Sequence, residues 1–307
     1  MKGDIMKKQI FESFVLKGLN KSQTVRILAA DTYDIVKEAM EEHNLNPIQS
    51  VALGQLLTIG TIMGSMMKGS DEKLTLQIKG EKYIKEIVVT ANALGDVKGY
   101  IISDDSVTEP EVLFSVGSAI GGGRLTVIKD FGLKEPYNSH MELGQGEIAE
   151  NITAYFANSE QTPTSVGASV RLDSSGKLIH STGYIVQLMP EASESDVELI
   201  ETSVKGFKFN GAETPEQIIK SLMDSFEYKI TDRVQYSLRC DCSSEKLWHI
   251  LKSLGSKEIR EMVKENMPIE VKCEFCDKKY EFSVNELNNI LNAIIKDKFS
   301  FSEAFSV

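Results

Sequence analysis

Cysteine is scarce and unevenly placed: the chain has 4 in 307 residues, and none precedes Cys240. A secreted domain held by disulfides spreads its cysteines through a short chain, so this distribution excludes a disulfide framework and makes a reducing cytoplasm the expected compartment. The opening MKGDIMKKQIFESFVLKG has lysines after Met6 but lacks a long apolar run and a small-residue cleavage site, so no signal peptide is expected. Positive charge is also in deficit. Lys+Arg 34 against Asp+Glu 45 gives a net charge of -11, which repels polyanions and makes nucleic acid an unfavourable partner. No repeated aromatic and basic patch of the kind that stacks unpaired bases offsets that balance.

Signatures of catalysis are missing as well. Serines and aspartates are plentiful without a nucleophile elbow, and His43, His140, His180 and His249 are too far apart for a metalloprotease spacing, so they read as surface or satisfied core histidines. Gly121-Gly122-Gly123-Arg124 lacks the Lys-Ser or Lys-Thr ending of a phosphate loop and reads as a tight turn or close strand crossing. No catalytic residue and no enzymatic activity is expected.

What is present begins with an uncharged run. Ile48 to Met67 only just reaches the length of a membrane span, which needs about 20 mostly apolar residues, and it spends positions on Gln49, Ser50, Gln55, Thr58, Thr61 and Ser65. A buried core helix is the reading that fits, with Asn46 as its cap, Pro47 at its first position, and Gly60 and Gly64 allowing a second helix to approach closely. Thr32 to His43 reads as a shorter amphipathic helix before it. Leu74, Leu76 and Ile78 then alternate with polar residues as in a half-buried strand, followed by candidate strands at Ile84–Thr90, Val97–Ile102, Leu125–Ile128, Ser165–Leu172 and Tyr184–Leu188. Strands around long helices without a regular repeat imply an α+β core, with the topology left open.

Beyond Pro190 the stretch EASESDVELIE is acidic and reads as an exposed helix or a linker boundary. Thr214, Pro215 and Gln217 have the spacing of a capping box opening a helix to Phe226. Helices are expected from Ser243 or Ser244 to Leu254 and from Ser256 to Glu265. The expected organisation is a large N-terminal core of helices and sheet at 1–189, a helical linker region at 190–234, a small cysteine-bearing domain at 235–287, and a tail at 288–307 for which the sequence offers no role.

Cys240, Cys242, Cys273 and Cys276 form a C-x-C and a C-x-x-C. Four thiolates suit a tetrahedral Zn²⁺ and would hold together a unit with little core of its own. An iron-sulfur site and four unrelated buried thiols remain alternatives at this point. Arg239, Lys272 and Lys278 are near enough in sequence to offset thiolate charge, or are ordinary surface cations.

Taken in order, ALGQLLTIGTIMGSMMKG from Ala52, EKLTLQIKG from Glu72, GGGRLTVIKDFGLKEPY from Gly121, GEIAENITAYFANSEQTPTSVG from Gly146, YIVQLMP from Tyr184, and the CDCS and CEFC motifs resemble the Hsp33 family of redox-regulated bacterial chaperones over nearly the whole chain. The resemblance implies an ATP-independent holdase that is inactive while reduced and carries one Zn²⁺ per chain on Cys240, Cys242, Cys273 and Cys276. It further implies that oxidation joins Cys240 to Cys242 and Cys273 to Cys276, releases the metal, and unfolds the small domain and then the linker. Apolar surface would then bind unfolding client proteins, and the oxidised chain would form a homodimer. His180-Ser181-Thr182-Gly183 departs from a family pattern richer in Ala and Gly, and the tail beyond Leu287 is longer than usual. Two other readings compete: a constitutive zinc module that binds nucleic acid or protein, and a thiol oxidoreductase using Cys273 and Cys276.

Overall fold

A computed structural model describes residues 13–107, 114–144 and 146–304, so the signal-peptide reading of the first 12 residues and the last three residues of the tail fall outside the described residues. Two units are present, Met1–Arg239 and Cys240–Val307.

In the first unit the order is β1 Phe14–Asn20, β2 Val25–Asp31, α1 Tyr33–Glu42, α2 Pro47–Gly64, β3 Lys73–Gly80, β4 Ile84–Asn92, β5 Asp96–Ser103, α3 Val116–Ile120, β6 Gly123–Asp130, β7 Tyr137–Glu142, α4 Ile148–Asn158, β8 Thr164–Leu172, β9 Leu178–Leu188, α5 Glu194–Gly206, α6 Pro215–Leu222, β10 Tyr228–Gln235 and β11 Ser237–Leu238. Two sheets result, β10-β1-β2-β9-β8 and β11-β5-β4-β3-β6-β7. All pairings are antiparallel except β11 on β5.

Helix α2 explains the uncharged run. Asn46 Oδ1 accepts the Gln49 N–H at 3.1 Å and Gln49 Oε1 accepts the Asn46 N–H at 2.9 Å, a reciprocal cap that starts the helix at Pro47. The helix then packs on β2, β8 and β9 of one sheet and on β3, β4 and β5 of the other, so it is buried all round. Among the described residues no helix is long and apolar enough to cross a membrane. The two glycines serve a strand and not a second helix: a Cβ on Gly60 would lie 2.5 Å from Val89 Cγ1, and one on Gly64 would lie 2.6 Å from Ala91 Cβ.

The departure at His180–Gly183 has a local counterpart. Ser181 Oγ is 2.8 Å from Thr32 Oγ1, which is 2.6 Å from Thr58 Oγ1, so hydroxyls from β9, the start of α1, and α2 satisfy one another inside the core.

The five-stranded sheet is apolar on both faces. Val15, Leu28, Ala30 and Ile185 join the α2 core, whereas Leu16, Ile27, Ala29, Tyr184 and Val186 form a second cluster with Ile200 of α5 and Ile218, Ile219 and Leu222 of α6. Helices α5 and α6 therefore cover the part of this sheet face that carries Leu16, Ile27, Ala29, Tyr184 and Val186. Its helix α6 stops at Leu222, short of Phe226, and the chain then becomes β10, which pairs with β1 from Phe14↔Gln235 to Asn20↔Tyr228. A register shift opposite Lys17/Gly18 breaks the period-2 pattern of β10, which hides this strand from a reading by alternation.

The second unit contains α7 Ser244–Leu254, α8 Ser256–Lys264, β12 Ile269–Lys272, β13 Lys279–Phe282 and α9 Val284–Ala304. Ser243 Oγ caps α7 by accepting the Lys246 N–H at 3.2 Å, and Gly255, at φ 98°, separates α7 from α8. Its core is small: Leu247, Leu251, Ile259, Phe282, Leu287, Ile290 and Ile294. The tail thus acquires a role, because Ile290 and Ile294 continue the buried stripe that Leu287 begins on α9.

Candidate metal centre

Strands β12 and β13 form a short hairpin whose turn is the C-x-x-C. The Cys273 N–H donates to Lys278 O at 2.9 Å and the Asp277 N–H to Cys273 O at 2.8 Å, with Asp277 in the left-handed region at φ 54°. This backbone tightens the loop and holds Cys273 and Cys276 close. Cys240 and Cys242 come from the extended segment that enters α7.

The four Sγ atoms lie within 4.8 Å of one another. Cys240 Sγ is 3.7 Å from Cys273 Sγ, and Cys242 Sγ is 3.3 Å from Cys276 Sγ. A tetrahedral ion with metal–sulfur bonds of about 2.3 Å sets its ligand sulfurs about 3.8 Å apart, so the first spacing matches such an edge and the second is somewhat tighter. Both contacts cross between the two motifs, as expected when one centre gathers all four. All four cysteines are free thiols, Cys273 buried and the others partly so. The donor set fits one soft cation.

Charge explains why a cation belongs there. Burial pushes the Cys240 thiol well above its ordinary value and the Cys276 thiol up to about 11. Burial also opposes ionisation of Cys242, but hydrogen bonds from the Tyr280 hydroxyl and the neighbouring thiols outweigh it and bring this thiol down to about 7. Tyr280 is itself pushed up, first by its hydrogen bond to Cys242. Four thiolates together thus need a positive centre.

The basic residues near the motifs each have a partner of their own. Lys272 Nζ pairs with Asp277 Oδ1 at 2.9 Å, Arg239 Nη1 with Asp96 Oδ1 at 3.5 Å, and Lys278 Nζ sits 5.2 Å from the Tyr280 ring centroid. The residue that sequence reasoning missed is Tyr280, whose hydroxyl is 3.1 Å from both Cys242 Sγ and Cys242 O. Its only sequence signal is its place on the strand that follows the C-x-x-C.

The weaker candidates resolve into structural roles. Gly123 pairs with Gly80, and a Cβ there would lie 1.9 Å from Lys79 O, so the glycine run is a close strand crossing. His43 contacts Gly99 O at 3.1 Å, His140 contacts Thr126 at 3.0 Å, His180 contacts Thr182 at 2.9 Å, and His249 lies edge-on to Trp248. Among the described residues none of them joins the cysteine cluster.

Residues 13–283 match the family model for Hsp33 protein. A 33 kDa chaperonin of Lachnoclostridium phytofermentans is 39% identical over 286 residues, covering 91% of this chain and 98% of the relative. One from Agathobacter rectalis is 38% identical over 284 residues, covering 90% of this chain and 99% of the relative. The crystal structure of a 33 kDa chaperonin from Thermotoga maritima superposes with a TM-score of 0.80 at 29% identity, covering 93% of this chain and 99% of that one. With two sheets packed about α2, a separate four-thiol unit and a family match that reaches into both units, the chain belongs to the Hsp33 family of redox-regulated, non-catalytic holdase chaperones.

Proposed function

We propose that this chain restrains its client-binding surface through a zinc-dependent thiol switch on Cys240, Cys242, Cys273 and Cys276, one Zn²⁺ per reduced chain. The observation that carries the reading is the convergence of four sulfurs within 4.8 Å in a unit whose buried core is small. When bound, the ion would hold the cysteines as thiolates and add folding energy that so few apolar side chains do not supply.

Oxidation then acts on the cysteines themselves. Each local pair gives up two electrons to a peroxide-type oxidant, which is reduced to water, and the Cys240–Cys242 and Cys273–Cys276 disulfides that form are poor metal ligands. The small unit would lose its main constraint. The functional division proposed is a core at 1–189, a cover at 190–234, and a switch at 235–287 with the rest of α9 as its brace. Chain continuity links the switch to the cover, because β10 ends at Gln235, just before Cys240.

The surface at stake is the sheet face under α5 and α6. Releasing those helices would bare Leu16, Ile27, Tyr184 and Val186 together with the apolar sides of the helices, a contiguous patch suited to unfolding proteins and to self-association as a homodimer. The net charge of -11 opposes a nucleic-acid partner, and the sparse, clustered cysteines suit a cytoplasmic setting.

The test follows aggregation of an unfolded client while zinc content and disulfides are measured in reduced and peroxide-treated protein. Protection should appear with two disulfides and loss of one zinc per chain. Equal protection by the reduced, metal-loaded protein would sink the switch.

A further inference from the structure

Strand β2 carries one charged side chain where its pattern calls for an apolar one. Leu28 and Ala30 enter the core between the sheets, Ile27 and Ala29 face α6, and the same alternation turns Arg26 toward the inter-sheet layer. Arg26 Nη2 donates to Gln187 Oε1 of the neighbouring strand. Its Nε is buried and has no hydrogen-bond partner, and among the described residues the guanidinium forms no ion pair. Burial lowers its pKa, and no carboxylate counters that effect. A partly buried cation whose buried Nε makes no hydrogen bond is stabilised when an anion completes it.

The guanidinium borders a cavity of about 330 Å³, at the lower end of the size of small-molecule sites. Met63, Met67 and Phe156 form a buried apolar floor, Met66 is partly exposed, and Phe131 stands at the mouth, 43% exposed. Three thioethers give a wall that adapts to a flexible chain. The rim holds Lys68 and Lys129 with Glu72 and Glu160, so three cations face two carboxylates. Both carboxylates are already engaged: Glu160 takes Lys129 Nζ at 2.6 Å and the Tyr155 hydroxyl, and Glu72 takes the Lys68 backbone N–H at 2.8 Å. Lys129 is thus ion-paired, whereas neither the Arg26 guanidinium, held by Gln187, nor the Lys68 ammonium forms an ion pair among the described residues.

We propose that this cavity binds an apolar monocarboxylate, with the carboxylate on Arg26 and the apolar chain among Met63, Met66, Met67 and Phe156. The group can come from a free acyl chain or from the C-terminal residue of a peptide, since both present one carboxylate next to apolar carbon. No cysteine and no residue of the α6-covered sheet face lines this cavity, and the proposal is independent of the redox reading.

The experiment titrates decanoate, below its micelle concentration, into the full-length reduced and zinc-loaded protein by calorimetry. Saturable binding of one per chain is expected, with decanol at least tenfold weaker and Arg26→Met at least tenfold weaker. Lys68→Gln, at an exposed position that leaves the packing alone, should weaken binding a few-fold, which keeps the test valid if Arg26→Met disturbs the sheet. A tetrapeptide ending in a free leucine carboxylate, against its amidated form, separates the sources: displacement of decanoate by the free form alone assigns peptide ends as ligands too, and no displacement assigns the acyl chain alone. Absence of saturable binding by both decanoate and the peptide, equal affinity for decanol and decanoate, or wild-type affinity in both variants would overturn the proposal.

Discussion

The hydroxyl of Tyr280 lies 3.1 Å from the sulfur of Cys242 and 3.1 Å from the carbonyl oxygen of the same residue, so one side chain of β13 fixes both the thiol and the backbone of the C-x-C motif. Groups that orient a metal ligand from outside the coordination sphere typically change metal affinity by about 10–100-fold when removed. Tyr280→Phe keeps the ring and its contact with Lys278 while deleting the hydroxyl. The expected result is about tenfold faster loss of zinc from the reduced protein to a chromophoric chelator, with unchanged helix content. Wild-type retention of metal would show that the hydroxyl is idle.

Ile218 is fully buried between α6 and the five-stranded sheet, beside Ile219 and Leu222. Truncating such a side chain typically costs about 2–5 kcal/mol through lost burial and the cavity left behind. In Ile218→Ala that loss falls on the docking of α6, with the cysteines untouched. The reduced, zinc-loaded variant should therefore suppress client aggregation that the wild-type protein in the same state allows, and should bind more of an apolar dye. A variant that stays silent until oxidised, with full zinc content, would mean that α6 does not cover the client surface.

Acid should loosen the same cover. The loop between α5 and α6 is held by Glu213, which accepts the N–H groups of Asn210, Gly211 at 3.0 Å and Ala212 at 3.2 Å and faces His180 at 3.9 Å, while Arg171 Nη1 donates to Asn210 O at 2.6 Å. Burial opposes ionisation of Glu213, but those N–H groups prevail and its pKa falls below 4.5. His180 is lowered from 6.5, mainly by burial, against the pull of Glu213 and Asp31. Asp31 is raised, first by burial, with Glu216 adding to the rise and His180 and Arg233 opposing it. Where the folded pKa lies below the unfolded one, the unfolded form binds more protons in between, and stability is lost as pH decreases. His180 therefore removes stability as pH drops below 6.5, and Glu213 does so from 4.5 downward. Asp31 acts in the opposite sense: its proton binds more readily in the folded state, which offsets part of the Glu213 loss near pH 4. Denaturant midpoints measured across pH 4 to 8 should decline toward acid, and His180→Gln should flatten the decline between pH 5 and 7. An unaltered slope in that variant would remove His180 from the account.

Much of the fold was written locally. The Asn46-Pro47-Gln49 start of α2, the Leu74-Leu76-Ile78 alternation of β3, and the Thr214-Pro215-Gln217 cap of α6 each need only neighbouring residues, and each element begins where that chemistry places it. The cysteine cluster was readable because its ligands share a rare residue type. What stayed hidden depends on distant partners. β7 is an outer strand without a buried residue, so it has no apolar alternation to read, and β10 is an edge strand broken by a bulge. The pairing of Tyr280 with Cys242 spans 38 positions, and nothing near either residue announces it.

Gly60 shows how a local motif misleads until its partner is known. Read as half of a small-xxx-small pair, it calls for a facing helix; in the fold it faces Val89 of β4, whose Cγ1 would be 2.5 Å from an added Cβ. Valine has stiff χ1 preferences and Val89 is buried, so it cannot swing away cheaply. Gly60→Ala should therefore destabilise the first unit by about 1–3 kcal/mol through overpacking, despite the better helix propensity of alanine. Urea unfolding with the metal site intact measures this directly. If the glycine served only flexibility, the same substitution would raise the unfolding free energy by up to about 1 kcal/mol, so the sign of the change decides which role it has.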